Sequence, residues 1–79
     1  MNKKVYQAVM SGTSDYNIKF NDFYNLMIAL GFEPKHQKGS HIKLVHPNGA
    51  IMEVQRDGAK AKGYQIKQLR QIIQKGGIE

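Results

Sequence analysis

The stretch SHIKLVHPNGAIMEVQ, residues 40–55, decides the fold. At its centre Pro47 suits the second position of a type I turn, because its ring already fixes the φ required there. Gly49 suits the left-handed bulge position that follows. That turn pairs His46 with Ala50, and the ladder runs back through Val45:Ile51, Leu44:Met52, Lys43:Glu53, Ile42:Val54 and His41:Gln55. The register is chemically consistent. Ile42, Leu44, Met52 and Val54 share one face, while Lys43 and Glu53 oppose each other as a charge pair on the other. A two-residue Asn48-Gly49 turn would instead set Leu44 against Glu53. His41 is therefore expected on the open face of the sheet.

Outward from this hairpin, residues 32–38, 40–46 and 50–55 read as three short strands of an antiparallel meander. Upstream, NDFYNLMIALG (21–31) has Asn21 as a plausible N-cap. Phe23, Leu26, Met27 and Leu30 fall at helical spacing, and Gly31 can stop the helix. Downstream, YQIKQLRQIIQKGG (64–77) places Ile66, Leu69, Ile72 and Ile73 on one stripe and ends in Gly76-Gly77. NKKVYQAVM (2–10) predicts a short leading helix with Val5, Val9 and Tyr6 on its apolar side, followed by the turn-rich SGTSD (11–15). The expected fold class is α+β: a three-stranded meander with two helices on one face, plus a short extra N-terminal helix.

At 79 residues the chain has room for one domain and one small core. It contains no cysteine, which excludes disulfides and thiolate metal sites. No apolar run approaches the ~20 residues needed to cross a bilayer, and the N-terminus lacks the apolar core of a signal peptide. A soluble, cytoplasmic protein without membrane contact is expected. Twelve Lys and Arg against six Asp and Glu give a net charge of +6, and on so small a body this favours an anionic partner such as nucleic acid.

All three histidines lie between residues 36 and 46. His41 and His46 are five apart in one strand, so they alternate faces roughly 16 Å apart and cannot share an ion. No metal and no other cofactor is expected. His46 reads as a solvated turn residue. If Lys38-Gly39 forms a two-residue turn, His36 stands directly opposite His41. His41 follows Gly39 and Ser40, whose flexible backbone can receive a phosphate, and an imidazole can take and give protons near neutral pH. Acid–base chemistry on RNA and an inert strand histidine are both open at this level. In RDGAKAKGYQIK (56–67), Arg56, Lys60, Lys62 and Lys67 crowd the positive end of the last helix, an arrangement that suits an arriving anion. Tyr64 is expected to pack in the core.

The segments LGF (30–32), KGSHIKLVHPNG (38–49) and VQRDGAKAKGYQIKQLRQII (54–73) resemble the HicA toxins of bacterial toxin–antitoxin modules. The resemblance runs from about Phe20 to Ile78 and centres on the Gly-Ser-His triplet followed by a strand. It implies a double-stranded-RNA-binding-domain-like fold and an mRNA endonuclease whose catalytic histidine is His41. It also implies a HicB-type antitoxin partner that covers the active site. Residues 1–19 form an N-terminal extension to a core at 20–79, and His36 stands where the family often has arginine.

Together these readings give a metal-independent endoribonuclease toxin, monomeric when free, with a non-catalytic RNA-binding module of the same fold as the alternative. His41 is the catalytic candidate. Gly39 and Ser40 shape the phosphate pocket, and Lys38, Lys43, Gln55, Lys60 and Lys62 are candidate RNA contacts. His36 is a possible auxiliary.

Overall fold

The computed structural model describes residues 1–78, in the order α1 (Lys3–Ser11), α2 (Phe20–Ala29), β1 (Glu33–Lys38), β2 (His41–Val45), β3 (Ile51–Val54), β4 (Arg56–Asp57), β5 (Lys60–Ala61) and α3 (Gly63–Gln74). Strands β1, β2 and β3 form an antiparallel sheet in that spatial order, and β4 pairs with β5 as a separate ribbon that the sequence reading did not anticipate.

The second hairpin has the expected register. Ile42 pairs with Val54, Lys43 with Glu53, Leu44 with Met52 and Val45 with Ile51. The turn closes through Gly49 N–H to the His46 carbonyl (2.9 Å) and His46 N–H to the Ala50 carbonyl (2.8 Å), with Gly49 at φ 97. Leu44, Met52 and Val54 are fully buried. The ladder stops one pair short of His41:Gln55, and the Gln55 N–H, which points to the outer edge of β3, bonds a side chain of α3. Lys43 and Glu53 face each other in register, although their charged ends form no ion pair among the described residues.

The first hairpin differs from expectation. Its two-residue loop is Gly39-Ser40, with Gly39 at φ 60, the conformation wanted at the first central position of a type II′ turn. Lys38 therefore stands opposite His41, and His36 stands opposite Lys43 rather than His41. A bulge between Pro34 and His36 offsets the strand there. Every residue of β1 is exposed. The helical layer thus covers β2 and β3 and leaves the first strand overhanging.

The corner between α2 and the sheet is built around Gly31. Its N–H bonds the Ile28 carbonyl (3.0 Å), and the next N–H, from Phe32, bonds the Met27 carbonyl (3.0 Å). These two bonds are a Schellman cap, which needs the left-handed backbone that Gly31 supplies at φ 102. His46 completes the corner and is not the solvated residue expected. It is half-buried, its ring meets Phe32 edge-on at 5.1 Å, and Nδ1 accepts the Asn48 N–H. Nε2 must then carry the proton, and it donates to the Leu30 carbonyl at 2.8 Å. A sequence-distant turn is thereby fastened to the end of α2.

In α2, Phe23, Leu26 and Met27 are buried, with Leu30 just beyond. The helix starts at Phe20, two residues before an Asn21 cap would have started it. Lys19 occupies the N-cap position without a side-chain bond, and Asn21 lies inside the first turn, where its carboxamide oxygen accepts from Arg56. On α3, Ile66, Leu69 and Ile73 are buried as the stripe requires, and Ile78 adds to the same core beyond the two glycines.

The leading segment belongs to this core. Asn2 caps α1 through its side-chain oxygen, and Val5, Val9 and Ile18 are buried with the residues of α2, the sheet and α3. Arg70 fastens it from α3 by donating to the Val9 carbonyl (2.7 Å) and bidentately to Asp15 (2.9 and 3.0 Å). Both side chains of that pair are only about 15% exposed (14% and 16%), and charge-assisted forked bonds of this kind are among the stronger polar contacts. The Arg70 hydrogen bonds hold the Asp15 carboxyl below its ordinary value of 3.8.

Two outcomes follow. The Asp15 pKa is lower folded than unfolded, so its contribution is complete above the ordinary carboxylate range and is lost as pH falls through the lowered value. In urea unfolding, the stability gap between wild type and Asp15→Asn should be constant at neutral pH and shrink below about pH 4. Gly31→Ala should cost more than about 1 kcal/mol, since it places a β-carbon at positive φ and within 2.9 Å of His46 Nε2. Calorimetric melting would measure that loss.

Candidate functional site

The open face of the sheet gathers His36 and Lys38 from β1 with His41 and Lys43 from β2. Cross-strand pairing makes them a two-by-two array, with Lys38 beside His41 and His36 beside Lys43. His36, Lys38 and His41 are exposed and Lys43 is half-buried. They line a cavity of about 610 Å³ together with Gly39, Ile42 and Glu53. Because the pairing is displaced by two residues in register, not one, His36 and Lys38 keep the face that the sequence reading gave them, whereas the bulge sets Pro34 opposite Leu44.

A second cavity, about 390 Å³, begins at His41 and runs past Ile51 and Glu53 to Tyr64, Gln65 and Gln68. Helix α3 flanks the free edge of β3, so its first turns wall the open face on that side. His41 and Glu53 line both cavities, and Glu53 is the one carboxylate in either lining.

Next to His41 in sequence, Ser40 begins a polar network that contains one lysine. The Gln55 carboxamide donates to Ser40 Oγ (2.9 Å) and accepts from Lys62 Nζ (3.1 Å), joining the first loop, the end of β3 and the mouth of α3. Beneath it lies Gln65, 3% exposed, the one buried polar side chain among the described residues. Its oxygen accepts the Gln55 N–H (3.2 Å), and its nitrogen donates to the Glu53 carbonyl (3.2 Å) and to the Tyr64 hydroxyl (3.2 Å). The carboxamide thus stands in for the next strand, satisfying two groups on the free edge of β3.

Of the residues singled out in the sequence, His36, Lys38, Gly39, Ser40, His41, Lys43, Gln55 and Lys62 meet in this region. Lys60 lies outside both cavities and reaches the Asn17 carboxamide oxygen (3.4 Å). Arg56 is likewise turned away, with its guanidinium stacked over the Phe20 ring at 4.6 Å. Among the described residues no three His, Cys, Asp or Glu side chains converge as metal ligands. Tyr64, expected in the core, is 64% exposed. The sequence reading passed over Glu53 as a site residue, and over Gln65 and Gln68. The last two lie at i, i+3 along α3, beside its apolar stripe, and that uncharged flank was the available signal.

Three strands flanked by helices, with a basic open face beside the Gly-Ser-His loop, define an α+β fold of the double-stranded-RNA-binding-domain-like class. The chain belongs to the family described as the HicA toxin of bacterial toxin–antitoxin systems, whose model matches residues 20–78. Toxins of this family are generally nucleolytic and are paired with a HicB-type antitoxin. No curated protein and no solved structure matches the chain. The family match begins at the first residue of α2, so α1 and the turn after it lie outside it. No helix among the described residues is long and apolar enough to cross a membrane.

Gln65→Met preserves volume but leaves the Gln55 N–H and the Glu53 carbonyl without their partner. A loss of about 1–3 kcal/mol is expected from urea unfolding.

Proposed function

We propose that this protein is a metal-independent endoribonuclease, the toxin of a type II toxin–antitoxin pair, and that His41 carries its acid–base chemistry. The observation that supports this reading best is the position of His41. It is exposed where two cavities meet, directly across from Lys38 and on the same face as Lys43 and His36.

RNA brings its own nucleophile. His41 removes the proton of the 2′-hydroxyl, the 2′-oxygen attacks the adjacent phosphorus, and the bond to the 5′-oxygen breaks. The products are a 2′,3′-cyclic phosphate and a 5′-hydroxyl, the latter protonated by a second group. His36, Lys38 and Lys62 are the candidates for that acid. Lys38 and Lys43 offset the charge of the phosphorane, and Gly39 and Ser40 let the backbone approach it. Glu53 stabilises the imidazolium once it forms. Gln55 holds Ser40 and Lys62 in place, and Lys60, turned toward Asn17, attracts RNA from a distance without touching the reacting phosphate. The same basic face suits coverage by a HicB-type antitoxin, which would block the substrate by occupying its site.

His41→Ala should lower cleavage of a labelled single-stranded RNA in EDTA by ~10²–10⁴ while leaving the melting temperature close to wild type, since the side chain is exposed. If about four phosphates are contacted, the logarithm of the affinity should fall against the logarithm of salt concentration with a slope near −3. Equal binding without cleavage by both proteins would instead support a non-catalytic RNA-binding module. A flat salt response would sink both readings.

A further inference from the structure

Two tyrosines stand out from a surface that otherwise buries its aromatic rings. Tyr16 is 77% exposed and Tyr64 is 64% exposed, whereas Phe20, Phe23 and Phe32 are all buried. Neither tyrosine ring is paired with another aromatic among the described residues. Both line one cavity of about 340 Å³, together with Asp57, Lys62 and Gly63.

Tyr16 is held there by the backbone. Gly63, buried at the start of α3, has no side chain, and the Tyr16 ring fills the space that a β-carbon would occupy. Tyr64 is held from the other side through its hydroxyl, which accepts from Gln65. One face of each ring is thus left to solvent on a fixed support, at little side-chain entropy cost. Lys62 and Asp57 add a donor and an acceptor to the same lining, a mixture suited to the edge of a base more than to a bare phosphate.

We infer that Tyr16 and Tyr64 form a stacking subsite for a nucleobase of single-stranded RNA, adjacent to the position of the scissile phosphate. Tyr64 lines both this cavity and the one that begins at His41, so a strand crossing His41 has a continuous path onto the two rings. Lys62 lines this cavity and bonds Gln55, which in turn bonds Ser40, the neighbour of His41. The inference rests on the RNA-cleaving reading above. It adds a component that lies outside the family match, because Tyr16 comes from the leading segment. That segment thereby contributes to substrate choice as well as to the core.

The test uses a short 2′-O-methyl RNA, which keeps bases and phosphates but lacks the hydroxyl nucleophile, titrated into the full chain. NMR should show the ring protons of Tyr16 and Tyr64 shifting upfield on binding. Tyr16→Ala and Tyr64→Ala should each weaken binding roughly 5- to 150-fold, while Tyr16→Phe and Tyr64→Phe stay within about twofold, because phenylalanine offers the same stacking face. Removing one base from the oligonucleotide should weaken binding similarly and make it indifferent to Tyr16→Ala. Unchanged affinity in the alanine variants, or an alanine loss that persists at full size for every abasic position, would overturn the subsite. If His41-dependent cleavage survives that result, only the subsite fails. Absence of salt-sensitive RNA binding by the wild type would overturn both.

Discussion

The pairing of β2 with β3 carries the rest of the structure, because side chains alternate faces along a strand. A slip of β2 by one residue would carry Ile42 and Leu44 into water, leave Met52 without its partner and turn His41 toward the helices. The type I turn with its glycine bulge fixes that register locally. His46 then ties the turn to the capped end of α2, so that the sheet's register and the helix's position reinforce each other. The face on which His41 lies is therefore a consequence of core packing.

The polar interactions have different tasks in different places. Arg70 and Asp15 use full charge to fasten the leading segment to α3, in a setting dry enough for a forked ion pair to matter. Gln65 uses a neutral carboxamide under the site, where its oxygen and nitrogen match one N–H and one C=O of a strand edge. A charged side chain there would satisfy one of those groups and oppose the other. No buried polar side-chain atom among the described residues lacks a partner.

Elements held by local signals were legible in the sequence. Pro47 and Gly49 gave the second hairpin residue by residue, and the spacing of Phe23, Leu26, Met27 and Leu30 gave α2. The first loop was misplaced because two glycine-containing dipeptides compete there. Gly39 works better as the first central residue of its turn than as the second. Features with distant partners could not be read at all. Arg70 meets Asp15 across 55 positions, and Gln65 and Tyr64 acquire their surroundings only when α3 settles beside β3. The basic run at 56–67 looked like one cluster, yet the β4–β5 ribbon sends its cations in different directions. Arg56 goes to Phe20, Lys60 to Asn17 and Lys62 to Gln55. The site was legible to the extent that it lies along one strand, and obscure where it depends on a helix arriving from elsewhere.

The overhang of β1 has a kinetic side. Half of the two-by-two array, His36 and Lys38, sits on a strand that buries nothing and is held to β2 by backbone hydrogen bonds across a bulge. Such a strand opens at a lower free energy than the core it borders. A polyanion bridging both strands would suppress that opening, and part of its binding energy would be spent on ordering the hairpin. Amide exchange along β1 should therefore report occupancy of the face more sensitively than exchange anywhere in the core.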